Sequence, residues 1–166
     1  MISSVPFQRV TIQDGFWGAW QHTNRTATIP AIYHQLKQTG QIDALSLAWK
    51  PGMPNPPHIF WDSDVAKWIE AAASSLALHP DPALEAQVDA LVDQIAQNQT
   101  PEGYFNSHYQ TVEPQNRWTN LRDNHELYCA GHLMEAAAAY FNATGKRTFL
   151  EVMMRYADYI ASVFGR

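Results

Sequence analysis

Cysteine, charge and long apolar runs are all scarce in this sequence. Its 166 residues include one cysteine, Cys129, which excludes an internal disulfide framework and fits a reducing compartment. No run approaches the about 18 consecutive apolar residues that cross a membrane. The first residues also lack the basic and apolar regions of a signal peptide. We therefore expect a cytoplasmic protein without a membrane span.

Charged residues make up only 16% of the chain, and the formal net charge is −5. The usual charged fraction of soluble domains is roughly 25%. Lys and Arg form no cluster, so the sequence indicates no nucleic-acid partner. A P-loop, a GxGxxG motif and a GxSxG nucleophile elbow are also missing, which argues against the nucleotide-binding and serine-hydrolase classes that carry them.

Aromatic residues are abundant by contrast, at 12%, with six Trp and seven Tyr. That composition suits a cleft lined with aromatic rings, as in carbohydrate-binding proteins. It suits equally well a set of helices that are buried on more than one side. Composition alone leaves both interpretations open.

Apolar residues at three-and-four spacing predict an all-α protein. The N-terminal residues 4–17 are predicted to be extended, with a turn at Asp14 and Gly15. Pro30 should kink or break the first helix, and Gly40 should end it. Five helices are expected, the first over 18–39. The second covers 64–78, capped by Asp62 or Ser63, and the third covers 82–99, with Asp81 as N-cap. The fourth is capped by Asp123 or Asn124 and ends near Gly145, and the fifth starts at Thr148, with Glu151 completing a capping box.

The second to fifth helices form two hairpins whose caps are about sixty residues apart, which indicates a repeat. Such hairpins bury their faces by stacking on neighbours. An open α-solenoid and a closed (α/α)6 toroid are both possible. The toroid is favoured because the long loops lie at one end, where Ala-rich helices begin with polar residues. A toroid of six such hairpins needs about 370 residues, so this chain should form its incomplete N-terminal part.

The richest polar segment, residues 124–133, opens the fourth helix. His125, Cys129 and His132 share one helix face there, and Cys and His are zinc ligands. The segment is not HExxH, however, and cysteine is often a small buried hydrophobe. We expect no metal site on this face. His125 and Glu126, at the helix start, could instead reach a cleft.

Two further segments combine polar and aromatic residues. Asp62 and Asp64 stand with Trp68 at a helix start, where carboxylates can bind sugar hydroxyls and an indole can stack on a sugar. A simple N-cap with a buried Trp explains the same pattern. In the segment 101–106, Gly103 permits a tight turn that carries Tyr104 and Asn106, and an ordinary turn into a short strand is the alternative.

Together these segments resemble glycoside hydrolase family 127, the β-L-arabinofuranosidases. The matching stretches are the FW near Gly15, QHTNR at 21–25, SDVAKWIEAA, EGYFN and NHELYCAGHLMEAAAAYFNATGK. The resemblance implies the N-terminal hairpins of a catalytic (α/α)6 barrel of the six-hairpin glycosidase type. It implies a retaining hydrolase that releases L-arabinofuranose from non-reducing ends.

The family's nucleophile is a cysteine thiolate held by zinc, with a glutamate as acid/base. The resemblance puts these groups beyond residue 166, and Cys129 does not match the nucleophile. It therefore implies that this chain contains no catalytic residue, metal ligand or cofactor, because zinc is implied for the full-length protein only. It also implies that the chain is inactive alone. It implies sugar contact at six positions: Gln21, His125, Asp64, Trp68, Tyr104 and Asn106.

Two other functions fit the pattern. One is a non-catalytic helical interaction module of the solenoid type, and the other is part of a different six-hairpin sugar enzyme, an epimerase or a lyase. In a toroid, Gln21, Asp64 and His125 should converge to within about 15 Å, the scale of a ligand pocket. We also expect the apolar edge of an unfinished barrel to cause self-association.

Overall fold

The computed structural model describes residues 5–13 and 15–165, and within these ranges the fold is all-helical, as predicted. Short 3-10 turns lie at Phe7–Arg9 and Pro114–Asn116. The α-helices are α1 (Gly15–Thr23), α2 (Ile29–Gln38), α3 (Gln41–Ala44), α4 (Trp61–Leu78), α5 (Pro82–Asn98), α6 (Ser107–Thr111), α7 (Glu126–Thr144) and α8 (Thr148–Phe164).

The N-terminal segment differs from its prediction. A 3-10 turn and the start of α1 replace much of the expected extended chain, while residue 4 and Asp14 of the predicted turn lie outside the described residues. α1 continues through a π-helical turn, Asn24–Thr28, into α2. The predicted break at Pro30 takes this form: proline donates no backbone hydrogen bond, and just before it the Ile29 N–H reaches back to the Asn24 carbonyl.

Local signals predicted several helix ends correctly. Gly40 follows α2 in the left-handed conformation, and Gly145 does the same after α7. Asp81 caps α5 by accepting hydrogen bonds from the N–H groups of Ala83 and Leu84. These ends depend on residues adjacent in sequence, which is why sequence alone locates them.

Three predicted caps are wrong. α4 begins at Trp61, and Ser63 does not cap it, because its hydroxyl donates back to the Phe60 carbonyl. Asp62 does not cap it either, since its carboxylate accepts from the distant Ser107 N–H. His125, not Asp123 or Asn124, precedes α7, and Arg147 precedes α8, both without a side-chain cap. In place of the capping box, Glu151 pairs with Arg147.

The core lies between α4 and α7, the most extensively packed pair of helices in the described ranges. The two helices run parallel, since Phe60 meets His125 and Lys67 meets Tyr128 further along. Small residues at the interface, among them Ala66, Ala73, Ala130 and Ala137, let the two helices approach closely. α5 and α8 pack outside them and against each other, while α2 covers α4. The hairpins are thus built as in the N-terminal part of an α/α toroid, with the starts of the two inner helices side by side. No helix of the described ranges has the length and apolar composition to cross a membrane.

Candidate functional site

A line of ring side chains runs across the adjacent starts of α4 and α7. We define the rim cluster as Phe60, Lys67, His125, Tyr128 and His132. The His125 ring centroid lies 4.7 Å from that of Phe60 and 5.7 Å from that of Tyr128, whose ring is 4.5 Å from that of His132. The Lys67 ammonium lies 5.0 Å from the centre of the Tyr128 ring, within cation–π range.

His125 has a left-handed backbone, with φ of 57°. This conformation is unfavourable for most residues with a side chain and often marks functional positions. The His125 Nδ1 atom lies 2.7 Å from the Asp123 carbonyl oxygen. Because a carbonyl only accepts, Nδ1 carries the proton, and in the neutral ring Nε2 is then a hydrogen-bond acceptor.

Asp64 lies beside the rim cluster on the first turn of α4. One of its carboxylate oxygens is 3.9 Å from the Lys67 ammonium, and both side chains are partly exposed. An exposed ion pair of this length stabilises the fold little. Both groups therefore remain accessible for hydrogen bonds to a polar ligand.

Beneath the rim cluster, Glu126 is 1% exposed at the first residue of α7. It accepts hydrogen bonds from the Tyr104 hydroxyl and from the Trp118 backbone N–H. Burial raises the pKa of Glu126, and these hydrogen bonds partly oppose that rise. The guanidinium of Arg117 covers the Tyr104 ring at 3.6 Å. Glu126 thus joins three segments instead of facing solvent.

Asp62 occupies the corresponding buried position at the start of α4. One carboxylate oxygen accepts from the Ser107 N–H at 2.7 Å, while the other has no hydrogen-bond partner within the described residues. Burial raises the pKa of Asp62. The Ser107 and Tyr156 hydroxyls are likewise buried without a described partner. This buried carboxyl has fewer hydrogen bonds than Glu126.

Cys129 is buried, and its thiol donates to the Ile59 carbonyl oxygen at 3.2 Å. Burial raises its pKa to about 12, so the group is a thiol at neutral pH. His132 lies near Glu135, and His125 is held by Asp123. Since each side chain of the His125–Cys129–His132 face has its own neighbour, the three do not form a joint metal site.

The six predicted sugar contacts fall into three environments. His125 and Asp64 flank the Lys67–Tyr128 contact. Three others are buried: the Trp68 indole donates to the Ile29 carbonyl, Tyr104 to Glu126, and Asn106 caps α6 by accepting from the Tyr109 N–H. These three side chains are at most 3% exposed; Trp68 and Tyr104 join separate elements, and Asn106 fixes the start of α6. Their direct sugar contact remains a prediction to which this packing lends no support.

Gln21 lies elsewhere. It lines a cavity with Phe7, Ala71, Ser74 and Leu78, along the second half of α4. The structure therefore groups Gln21 with the far end of α4 and not with the rim cluster. Tyr128 and Lys67 were missed as site residues, although each stands three positions after a predicted contact, His125 and Asp64, on the same helix face.

Comparison with known proteins shows which families and solved structures this chain is similar to. Residues 9–166 match the family model described as beta-L-arabinofuranosidase, GH127 catalytic domain. A non-reducing end beta-L-arabinofuranosidase of Bifidobacterium longum subsp. longum is 43% identical over 111 residues, which are 64% of this chain and 17% of that protein.

Two solved structures are similar over 95% of this chain and 26% of their own. One is a GH127 beta-L-arabinofuranosidase from Geobacillus stearothermophilus T6, with a TM-score of 0.89 and 44% identity. The other is a GH127 beta-arabinofuranosidase, with a TM-score of 0.87 and 33% identity. This chain therefore spans about a quarter of the length of these solved relatives.

Proposed function

Since the chain belongs to the GH127 beta-L-arabinofuranosidase family, we propose that its rim cluster forms one wall of the pocket for a non-reducing-end β-L-arabinofuranose. The observation that carries this proposal is the partly exposed row of rings and polar groups where α4 and α7 begin. Loops and helix ends at one end of a toroid are where such a fold holds its function.

The chemistry of the rim cluster suits a small sugar. Rings such as that of Tyr128 offer an apolar surface with a polar tip for the C–H face of a furanose. The imidazole of His125 and the carboxylate of Asp64 can form hydrogen bonds with its hydroxyls. The left-handed backbone of His125 aims its imidazole from a fixed position, which lowers the entropy lost on binding.

For the whole family reaction we propose double displacement with retention of configuration. In that scheme this chain orients the sugar ring, and bond cleavage is carried out elsewhere in the protein. The buried Asp62 and Glu126 do not reach a substrate, and Asp64 is a partly exposed carboxylate beside Lys67 of the rim cluster. We therefore expect the chain to be inactive alone.

The family also implies a zinc-held cysteine thiolate, which would supply the nucleophile. Cys129 does not fit that role, because its thiol is buried, bonded to the Ile59 carbonyl and protonated at neutral pH. No step of the reaction is assigned to it.

Sugar binding can be mapped by NMR on the 15N-labelled chain, titrated with methyl β-L-arabinofuranoside and, as a control, methyl β-D-glucopyranoside. We expect shifts at Lys67, His125 and Tyr128 with the arabinoside only. His125→Asn should abolish them, since Asn tolerates a left-handed backbone but lacks the imidazole. The matched control, His79→Asn, alters an exposed histidine at the other end of α4 and should preserve them. Equal shifts with both sugars, or shifts confined to the cavity around Gln21, would refute the assignment.

A separate assay tests inactivity. The purified chain should not hydrolyse an aryl β-L-arabinofuranoside. Hydrolytic activity that copurifies with the chain would overturn the proposal that cleavage needs further parts of the protein. Of the two alternative functions, an epimerase or lyase is disfavoured by the family match. A purely structural interaction module predicts no sugar-specific shifts in the NMR titration.

A further inference from the structure

Three potential metal ligands meet between α4 and α7, on the side of the helices that carries the rim cluster. Glu70 comes from α4, and His132 and Glu135 come from α7. One ligand atom from each of these side chains lies within 4.8 Å of the other two. Glu70 and His132 are half-buried, while Glu135 is exposed.

The helix geometry explains why these side chains converge. His132 and Glu135 are three residues apart on α7, a spacing that puts both on one face. Because α4 and α7 run parallel, each step along α7 meets a matching step on α4: His125 touches Phe60, Tyr128 lies under Lys67, and His132 reaches Glu70. Metal sites of helical bundles are built in the same way, from Glu and His at an i, i+3 spacing and a Glu on a neighbouring helix.

The contact between His132 and Glu135 is short but is not a hydrogen bond. The His132 Nδ1 atom is 3.0 Å from a Glu135 carboxylate oxygen, yet Nδ1 is shielded from solvent and has no hydrogen-bond partner among residues 5–13 and 15–165. The carboxylate thus lies away from the direction of the Nδ1 lone pair or N–H. Two ligands of one ion have this relationship, because the ion, and not the second ligand, lies on the lone-pair axis.

We propose that Glu70, His132 and Glu135 bind a divalent transition-metal ion, with Zn²⁺ as the best-fitting species. Imidazole nitrogen and carboxylate oxygen are zinc ligands at about 2.0–2.2 Å, which puts ligand atoms of a tetrahedral site about 3.4 Å apart. Small carboxylate rotations bring the three atoms to that spacing. A water molecule completes the tetrahedron, as at zinc sites with three protein ligands.

The charges around the cluster agree with this assignment. The carboxylates of Glu70 and Glu135 balance a dication when His132 is neutral. Lys67, one turn before Glu70 on α4, lies against Asp64 and the Tyr128 ring. The Tyr128 ring also packs edge-on to His132 and restricts the orientation of the imidazole. The nitrogen ligand disfavours Ca²⁺ and Mg²⁺, which prefer oxygen.

The test is metal binding by the purified chain, measured by isothermal titration calorimetry with Zn²⁺ and by the visible absorption of bound Co²⁺. We expect one ion per chain and an intense absorption typical of tetrahedral Co²⁺. The variants Glu70→Gln, His132→Gln and Glu135→Gln should each weaken binding at least tenfold. His79→Gln and Glu151→Gln, which alter an exposed His and an exposed Glu elsewhere, should bind as the wild type does.

Circular dichroism should show that all five variants keep their helical content, which makes a loss of binding specific. If the wild-type chain fails to bind Zn²⁺ stoichiometrically, the three side chains form only an ion-paired network and the proposal is wrong. It is equally wrong if Zn²⁺ affinity survives in His132→Gln, or if Ca²⁺ displaces Co²⁺ at equal concentration. None of these readouts depends on glycosidase activity or on sugar binding.

Discussion

The Tyr104 hydroxyl donates a hydrogen bond of 2.5 Å to the Glu126 carboxylate. This contact ties the turn after α5 to the first residue of α7, while the second carboxylate oxygen accepts from the Trp118 N–H. Two donors from different segments thus converge on one buried carboxylate. Glu126 thereby holds the start of α7 in place, and with it the neighbouring His125 of the rim cluster.

Glu126→Gln should destabilise the fold. An amide has one acceptor oxygen where the carboxylate has two, so either Tyr104 or Trp118 loses its acceptor. A buried donor left without a partner costs about 1–3 kcal/mol. Urea denaturation at pH 7 measures this loss, and Tyr104→Phe, which removes one donor, should restore part of the stability in the double variant. A Glu126→Gln protein as stable as the wild type would contradict the structural role of this carboxylate.

Asp62→Asn, unlike Glu126→Gln, should not destabilise the fold. The Asp62 carboxylate accepts one described hydrogen bond, from Ser107, which an Asn oxygen can also accept. The new amide N–H₂ replaces a carboxylate oxygen that has no described partner, so the substitution breaks no described hydrogen bond. At neutral pH we expect unchanged or increased stability, because the variant no longer buries a charge.

The effect of Asp62→Asn on stability should also depend on pH in a definite direction. Burial raises the folded-state pKa of Asp62 above 3.8, so the folded protein binds more protons than the unfolded chain between the two pKa values. The contribution of Asp62 to stability is therefore greatest at low pH and falls as pH rises through its folded pKa. Asp62→Asn removes this term, so the stability difference between variant and wild type should grow from pH 4 to pH 7. A difference independent of pH would show that Asp62 is not perturbed.

Sequence predicted those features that depend on neighbouring residues. Gly40, Asp81 and Gly145 end or cap helices through local backbone geometry, and each was assigned correctly. The cap at Asp62 failed because its true partner, Ser107, is 45 residues away. The helix α6 was missed because five residues are too few to display an apolar period.

The same limit applies to the candidate site. The family motifs indicated His125 and Asp64, but the pairing of Lys67 with Tyr128, and of Glu70 with His132, depends on the parallel register of α4 and α7. That register comes from the packing of small residues such as Ala73 and Ala137, which no local pattern encodes. The motif residues Trp68 and Tyr104 are buried because their hydrogen bonds connect distant elements, while Asn106 is buried as the local cap of α6.

Gly103→Ala should destabilise the chain strongly. Gly103 has φ of 102°, and a Cβ there would lie 2.5 Å from the Arg155 carbonyl oxygen in α8. Relief requires movement of helix backbone, which should cost about 2 kcal/mol or more. The matched control is Gly131→Ala within α7, where no described atom outside the adjoining helix backbone and chain neighbours lies within 4 Å of the added Cβ. That variant should gain about 0.5–1 kcal/mol from helix propensity. Thermal denaturation of both distinguishes them, and equal melting temperatures would refute the close approach at Gly103.

Cys129 should be unreactive in the folded chain. Its pKa of about 12 leaves almost no thiolate at pH 8, and burial blocks access. Labelling by iodoacetamide should be at least a hundredfold slower in buffer than in denaturing urea, where an ordinary cysteine ionises near pH 8.5. Mass spectrometry follows the modification. Rapid labelling of the folded protein would mean that the thiol is exposed, and the assignment of Cys129 as a packing residue would fail.

Self-association should occur through the groove between α7 and α8. Its lining is apolar and includes Leu127, Met134, Ile160 and Phe164, and exposed apolar surfaces of this kind favour association. Sedimentation velocity should show dimers that increase with concentration. Leu127→Glu, which adds a charge to the groove, should shift the chain towards monomer. Met154→Glu, at a more exposed apolar position of α8 outside the groove, should not. If both substitutions act equally, net charge and not the groove controls association. If the wild type is monomeric at every concentration, the groove does not bind a second copy.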